Sequence, residues 1–295
     1  MIELNRRELL ELAGASALAP LATRGGGIVA CMHEATSTPH DFRPAMEGYS
    51  RGGIRAVEVM LTKVREFADK NSVASARRLL EDLGLRVVST SNQLGLAEPS
   101  AARAKNLEEL RWKCELAQAL GCDRMVAPTL TREAFTEDDY KRGVDNLREA
   151  GEIARPFNIT LMVEFTRLST FVGTLPSALY LVRNASHPNV RVMMDTYHFW
   201  GGVSKFEDLE LLRDGELHHL HFEDVPATPL REQLEQRHRV FPGQGIAPLR
   251  RIVEVLRRKK YAGPASVELF DQAIQAADPY AVAQRARSAV EALLG

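Results

Sequence analysis

Four short apolar runs in this chain each finish on a side chain that can hold a proton or a metal: Leu161-Met162-Val163-Glu164, Val192-Met193-Met194-Asp195, His219-Leu220-His221 and Ser266-Val267-Glu268. A single glutamate at the end of an apolar run is ordinarily solvated and needs no explanation. Four such ends do, because burying charge is costly unless the charge is paired or bound to a metal. One shared cation, held by Glu164, Asp195, His221 and Glu268, is the simplest partner. Three carboxylates and one imidazole form a hard, oxygen-rich donor set that suits a divalent ion of the Mn²⁺, Mg²⁺ or Co²⁺ kind, with Zn²⁺ also accommodated. Metals that seek thiolates do not fit. Cys31, Cys114 and Cys122 are odd in number and follow no CxxC spacing, so they read as buried small hydrophobes and not as a disulfide framework or a zinc site.

Further residues follow the same logic with less support. His198 stands three residues past Asp195, where a substrate oxygen could reach it, although a packed loop histidine would look the same. Arg239 lies in the loop Arg239-Val240-Phe241-Pro242-Gly243-Gln244-Gly245 and could clamp a hydroxyl, a carboxylate or a phosphate, unless it is a surface arginine. His33 and Glu58 close the first two apolar runs and are expected to line the pocket or to serve packing. His218, His219 and His221 alternate, so the last two share one face; His221 is the better ligand, with either His219 a layer deeper or Glu223 behind the ligands.

Side chains this far apart in sequence converge only if the elements between them bring strand ends to one face. From Gly25 onward, β-branched runs alternate with longer helix-patterned segments, the signature of repeated βα units and a parallel sheet. The strands are expected at Ile28 to His33, Ala56 to Met60, Arg86 to Thr90, Met125 to Ala127, Thr160 to Phe165, Arg191 to Asp195, His218 to Phe222 and Ala265 to Leu269. Amphipathic helices are expected between them, for example Asn106 to Leu120, ending at Gly121, and Leu249 to Lys260. Eight strands with intervening helices are the count of a closed α/β (β/α)8 TIM barrel spanning residues 25–295, whose active sites gather at the strand C-termini. A doubly wound open sheet is the second choice, but no GxGxxG follows the first strand and no Walker lysine loop occurs.

With 295 residues, 45% hydrophobic and 26% charged, the chain can bury one substantial core. The net charge of -1 and the interspersed charges argue against a nucleic-acid or membrane partner. Residues 1–24 differ from the rest: Asn5-Arg6-Arg7-Glu8-Leu9-Leu10 precedes a small apolar run, Leu12 to Ala22, with the sites Ala17-Leu18-Ala19 and Pro20-Leu21-Ala22. That is the layout of a twin-arginine leader to the periplasm, weakened by Glu8 and Glu11; the alternative is an amphipathic extension of a cytoplasmic protein.

Glu164-Phe165, Asp195-Thr196-Tyr197-His198-Phe199, His221-Phe222-Glu223-Asp224, Arg239 to Gly245 and Ser266-Val267-Glu268-Leu269-Phe270 resemble the sugar isomerase/epimerase superfamily of xylose-isomerase-like barrels. Within it they most resemble the 2-keto-myo-inositol (inosose) isomerase branch. The resemblance implies that Glu164, Asp195, His221 and Glu268 are the metal ligands and that His198 and Arg239 contact substrate oxygens. Ketose 3-epimerases of the superfamily carry a further Glu where Thr170 stands here, which weakens that reading.

The chemistry that fits is proton transfer beside a carbonyl, through an enediolate stabilised by the metal as a Lewis acid, with Glu164 and Glu268 as the proton-transferring carboxylates. The expected substrate is a keto-sugar or keto-inositol, an inosose first. A dehydratase or a lyase acting on a 3-keto-glycoside shares the enediolate and is the alternative, and a non-catalytic sugar-binding barrel tethered by its metal is the third. No lysine cluster or glycine-rich anion nest supports a phosphorylated substrate. Such barrels commonly associate, so a homodimer or homotetramer is expected.

Overall fold

The computed structural model describes residues 27–295. The leader segment named above lies outside the described residues. Strands β1 (Val29–His33), β2 (Ala56–Met60), β3 (Arg86–Ser91), β4 (Arg124–Pro128), β5 (Thr160–Glu164), β6 (Val190–Asp195), β7 (Leu217–His221) and β8 (Pro264–Val267) form one sheet in sequence order, and β8 pairs with β1 to close it. Every expected strand is present. The largest functional difference is at β8, which ends at Val267, so that Glu268 is the first residue beyond the strand and not part of it.

Around the barrel run α1 (Phe42–Arg51), α2 (Leu61–Lys70), α3 (Val73–Asp82), α4 (Arg103–Ala119), α5 (Glu137–Ala154), α6 (Leu175–Ala185), α7 (Thr196–Trp200), α8 (Leu249–Arg258), α9 (Gln272–Ala276) and α10 (Pro279–Leu294). Their boundaries have local causes. Thr136 and Asp139 close a reciprocal capping box at the start of α5, and Thr174 and Ser177 do the same for α6, so the first free N–H groups of both helices are met by side chains. Helix α4 starts one turn earlier than its apolar spacing suggests and stops before Gly121, whose φ of 75° is the left-handed conformation that ends helices.

Strand periodicity sorts the side chains between two environments. Outward positions such as Met32, Val57, Leu161, Val163, Val192 and Met194 join the large core between barrel and helices. Inward positions belong to two small separate clusters, Cys31 with Ala56 and Val88, and Val126 with Met162 and Met193. Two residues further along the same strands stand His33, Glu58, Glu164 and Asp195. The period of two thus makes the polar layer the next inward layer above an apolar floor.

Candidate metal centre

The polar layer converges on one imidazole. His221 Nδ1 lies 3.3 Å from Glu164 Oε1, 3.5 Å from Glu268 Oε2 and 3.8 Å from Asp195 Oδ2, so side chains from β5, β6, β7 and the end of β8 meet at a single ring nitrogen. The other nitrogen of the ring, Nε2, is 3.1 Å from Glu58 Oε2. All four expected ligands are therefore brought together. Among the described residues, two donor groups stand close enough to hold an ion, Glu164 with Asp195 and His221, and His33 with Glu58 and His221.

Arg239 reaches into the same layer. Its Nη1 is 2.8 Å from Asp195 Oδ2, 2.9 Å from Glu268 Oε2 and 3.4 Å from Glu223 Oε1, while its plane lies between the rings of Tyr197 and Phe270, 5.1 and 5.0 Å from their centroids. The surface-arginine alternative does not hold, since the side chain is wholly buried. His198 is buried too: the Arg167 N–H donates to its Nδ1 at 3.2 Å, and Arg239 Nη2 is 3.2 Å from its Nε2.

Of the two expectations for Glu58, packing is the one that matches its position. It sits in the middle of β2, is fully buried, and faces three imidazoles: His219 Nε2 at 2.7 Å and His221 Nε2 at 3.1 Å on Oε2, and His33 Nε2 at 3.4 Å on Oε1. It therefore lies beneath the mouth, packed under the histidines, and does not line the pocket opening. His33 is equally buried, with Nε2 3.2 Å from Glu268 Oε1. His219 is indeed the deeper of the paired histidines, whereas His218 takes the other face, its carbonyl accepting from Arg124.

The electrostatics follow from this crowding. Burial pushes the Glu164 carboxyl up to about 7 against the pull of His221. Burial also opposes charge on Asp195, but Arg239 and His198 outweigh it and hold the carboxyl well below the ordinary range. For His221 burial is again the largest effect, and the surrounding carboxylates, Glu58 first, overcome it and hold the ring well above an ordinary histidine. Burial lowers His198 to about 4, so it is neutral at pH 7 and can accept or donate one hydrogen bond per ring nitrogen. Glu223, buried beside Asp195, is raised well above the usual carboxylate.

Five carboxylates, Glu58, Glu164, Asp195, Glu223 and Glu268, thus crowd the site, and only Asp195, Glu223 and Glu268 of them pair with the Arg239 guanidinium. Such an excess of negative charge in a dry site must take up protons or a cation. His221 Nδ1 and Asp195 Oδ2 are buried without a hydrogen bond; the close approach of Arg239 to Asp195 Oδ2 is an ion pair without hydrogen-bond geometry. Oxygen donors around one free ring nitrogen fit a divalent cation.

Two fastenings of the site were not legible in the sequence. Arg167 ties the loops after β5, β6 and β7 by donating to the carbonyls of Gly201 and Leu234 at 2.9 and 2.7 Å and to that of Arg231. Asp224 accepts from the N–H groups of Val225, Gly243 and Ala247 and so folds the Arg239 loop back on β7. An arginine or aspartate that binds only main chain has no sequence signature beyond its position beside a motif.

Fold and site together define a closed (β/α)8 barrel with an acidic, imidazole-containing centre at the C-terminal ends of its strands. The profile of the xylose isomerase-like TIM barrel family matches residues 49–293, and the chain belongs to that family. It is 26% identical over 246 residues to an inosose isomerase of Halalkalibacterium halodurans, covering 81% of this chain and 87% of that protein. A 3-dehydroshikimate dehydratase of Pseudomonas putida is 27% identical over 237 residues, covering 79% of this chain but 36% of the longer relative. Among solved structures, the IolI protein with a bound zinc atom superposes with a TM-score of 0.84 over 90% of this chain and 98% of its own, at 22% identity, a likeness of fold. The similarity to inosose isomerases supports an enzyme of the sugar isomerase/epimerase kind.

Proposed function

We propose that this chain is a metal-dependent isomerase or epimerase that moves a proton beside the carbonyl of a keto-sugar or keto-inositol, with an inosose as the first substrate to try. The observation that carries the reading is the convergence of Glu164, Asp195 and Glu268 on Nδ1 of His221. These residues would hold the cation, and when bound it supplies Lewis-acid stabilisation of the negative charge that develops on the substrate oxygens as the proton leaves. The protein's own groups do the rest. Glu164 and Glu268 are the ligands that keep some contact with the mouth, with side chains 7% and 12% exposed against 0% for Asp195 and 2% for His221. They come from β5 and the end of β8 and would remove the proton and return it. Neutral His198 and charged Arg239 would hold the substrate's oxygens, and the aromatic faces of Tyr197 and Phe270 keep the guanidinium in plane.

The likeness to a dehydratase favours one second reading, in which removal of the same proton is followed by loss of a β-hydroxyl. Deuterium uptake from D2O into a panel of keto-inositols and ketoses, with Mn²⁺ and after chelation, tests both. Metal-dependent exchange at the carbon beside the carbonyl is the expected result, and a product lighter by one water would select the dehydratase. Absence of exchange on every substrate, with metal bound, overturns the reading.

A further inference from the structure

The site contains a buried carboxylate that the proposed chemistry leaves without a task. Glu58 is completely buried, and its hydrogen-bonding partners are imidazoles. We propose that Glu58 is a positioning residue that fixes which nitrogen of His221 carries the proton, and so presents the Nδ1 lone pair to the cation. The inference rests on the metal-dependent reading above.

An ionised carboxylate only accepts hydrogen bonds, so each ring nitrogen directed at Glu58 must be an N–H. His221 Nε2, 3.1 Å away, is therefore the protonated nitrogen of that ring. His219 Nε2 donates to the same oxygen at 2.7 Å. The tautomer of His33 is set independently, because its Nδ1 accepts the Ala35 N–H at 2.9 Å; its proton is then on Nε2, which faces Glu58 Oε1 and Glu268 Oε1 at 3.4 and 3.2 Å. The ring protons of His219 and His221 thus meet beneath the site on one oxygen, Glu58 Oε2.

Without that acceptor the opposite tautomer would win. His221 Nδ1 faces Glu164, Asp195 and Glu268, and three carboxylates around one nitrogen draw the single proton of a neutral imidazole to it. A protonated Nδ1 cannot bind a metal. Glu58 reverses the preference, and by accepting the opposite proton it also raises the basicity of the ligating nitrogen, an effect of outer carboxylates worth about tenfold to a hundredfold in metal affinity. Two residues before the end of β2, it is aimed at β7 across the barrel interior and cannot be supplied by a mobile loop.

The test uses Zn²⁺ as a diamagnetic probe on the full chain. Glu58→Gln keeps the shape but replaces one acceptor oxygen by a donor amide. It should weaken Zn²⁺ in chelator competition by about tenfold to a hundredfold while circular dichroism stays that of the parent. In the Zn²⁺-loaded parent protein, ¹⁵N-edited long-range NMR should show His221 bound through Nδ1, with a protected proton on Nε2. A folded Glu58→Gln protein that binds Zn²⁺ like the parent overturns the inference alone. So does a parent whose His221 binds through Nε2, a measurement that needs no variant. A parent that takes up no Zn²⁺ defeats the functional reading, and this inference with it.

Discussion

Glu34 and Asp195 show how differently two buried acids can behave. Asp195 divides its oxygens: Oδ1 accepts the His198 N–H at 2.9 Å and starts α7, while Oδ2 faces Arg239 and His221. Glu34, beyond the end of β1, has one oxygen on the Met60 N–H at 2.8 Å and the other without a partner. Burial pushes its carboxyl from 4.5 to about 8. Between those two values the folded chain holds a proton that the unfolded chain has released. The stabilisation is complete below 4.5 and is lost as pH rises through about 8. Urea melts should therefore show the parent losing stability relative to Glu34→Gln across that window, with a limiting slope of about 1.4 kcal/mol per pH unit. A difference independent of pH would mean that water reaches this carboxyl.

At the scale of elements, the loop between β7 and α8 decides where Arg239 points. Asp224 gathers three main-chain N–H groups, pairs in an antiparallel bridge with Val240 and holds the loop over the barrel mouth. Gly245 is what lets the loop pass so close. A Cβ there would stand 2.2 Å from the Val225 carbonyl oxygen and 2.5 Å from Asp224 Oδ1, and the first of these belongs to main chain that cannot swing aside. Gly245→Ala should push the loop outward and carry Arg239 off the aromatic pair. Steady-state kinetics should then give a kcat/KM at least about tenfold lower, of the order expected when a desolvated cation–π contact of about 2 kcal/mol is lost. The far-ultraviolet dichroism should not change, because β7 and α8 do not depend on the loop. Parent-like kinetics would detach the loop from the site.

For the molecule as a whole, the closed sheet leaves no strand edge, and the helices cover the apolar outer face of every strand. At the C-terminal mouth, buried carboxylates outnumber the cationic side chains that face them. Stability and cation binding are linked there, since an ion that binds the folded chain alone stabilises it by about 2.7 kcal/mol at a hundred times its Kd. For a domain of this size that corresponds to a rise in Tm of about 4 °C on adding Mn²⁺ or Zn²⁺ to chelator-treated protein. Asp195→Asn should abolish the rise yet keep the helix start, because asparagine caps as well as aspartate. An unchanged Tm in the parent, or a full rise in the variant, would remove Asp195 from the centre.

The barrel was readable because two periodicities, strand and helix, repeat along the chain, and local hydrophobic pattern alone determines them. The four side chains at the ends of the late strands were readable for the same reason: in a barrel, sequence position at a strand end is spatial position at the mouth. Depth and partners were not. Glu58, in the middle of β2, lies against three imidazoles, while Glu164, the last residue of β5, reaches the mouth. Which of them lies higher depends on the stagger between neighbouring strands, a property of the closed sheet that no single segment carries. Arg239 as a buried cation likewise needed Asp195, Glu223 and Glu268 from three separate segments to be near it. Local sequence determined the elements and the donor types; only the tertiary structure decided which nitrogen faces which oxygen, because that is set by long-range packing.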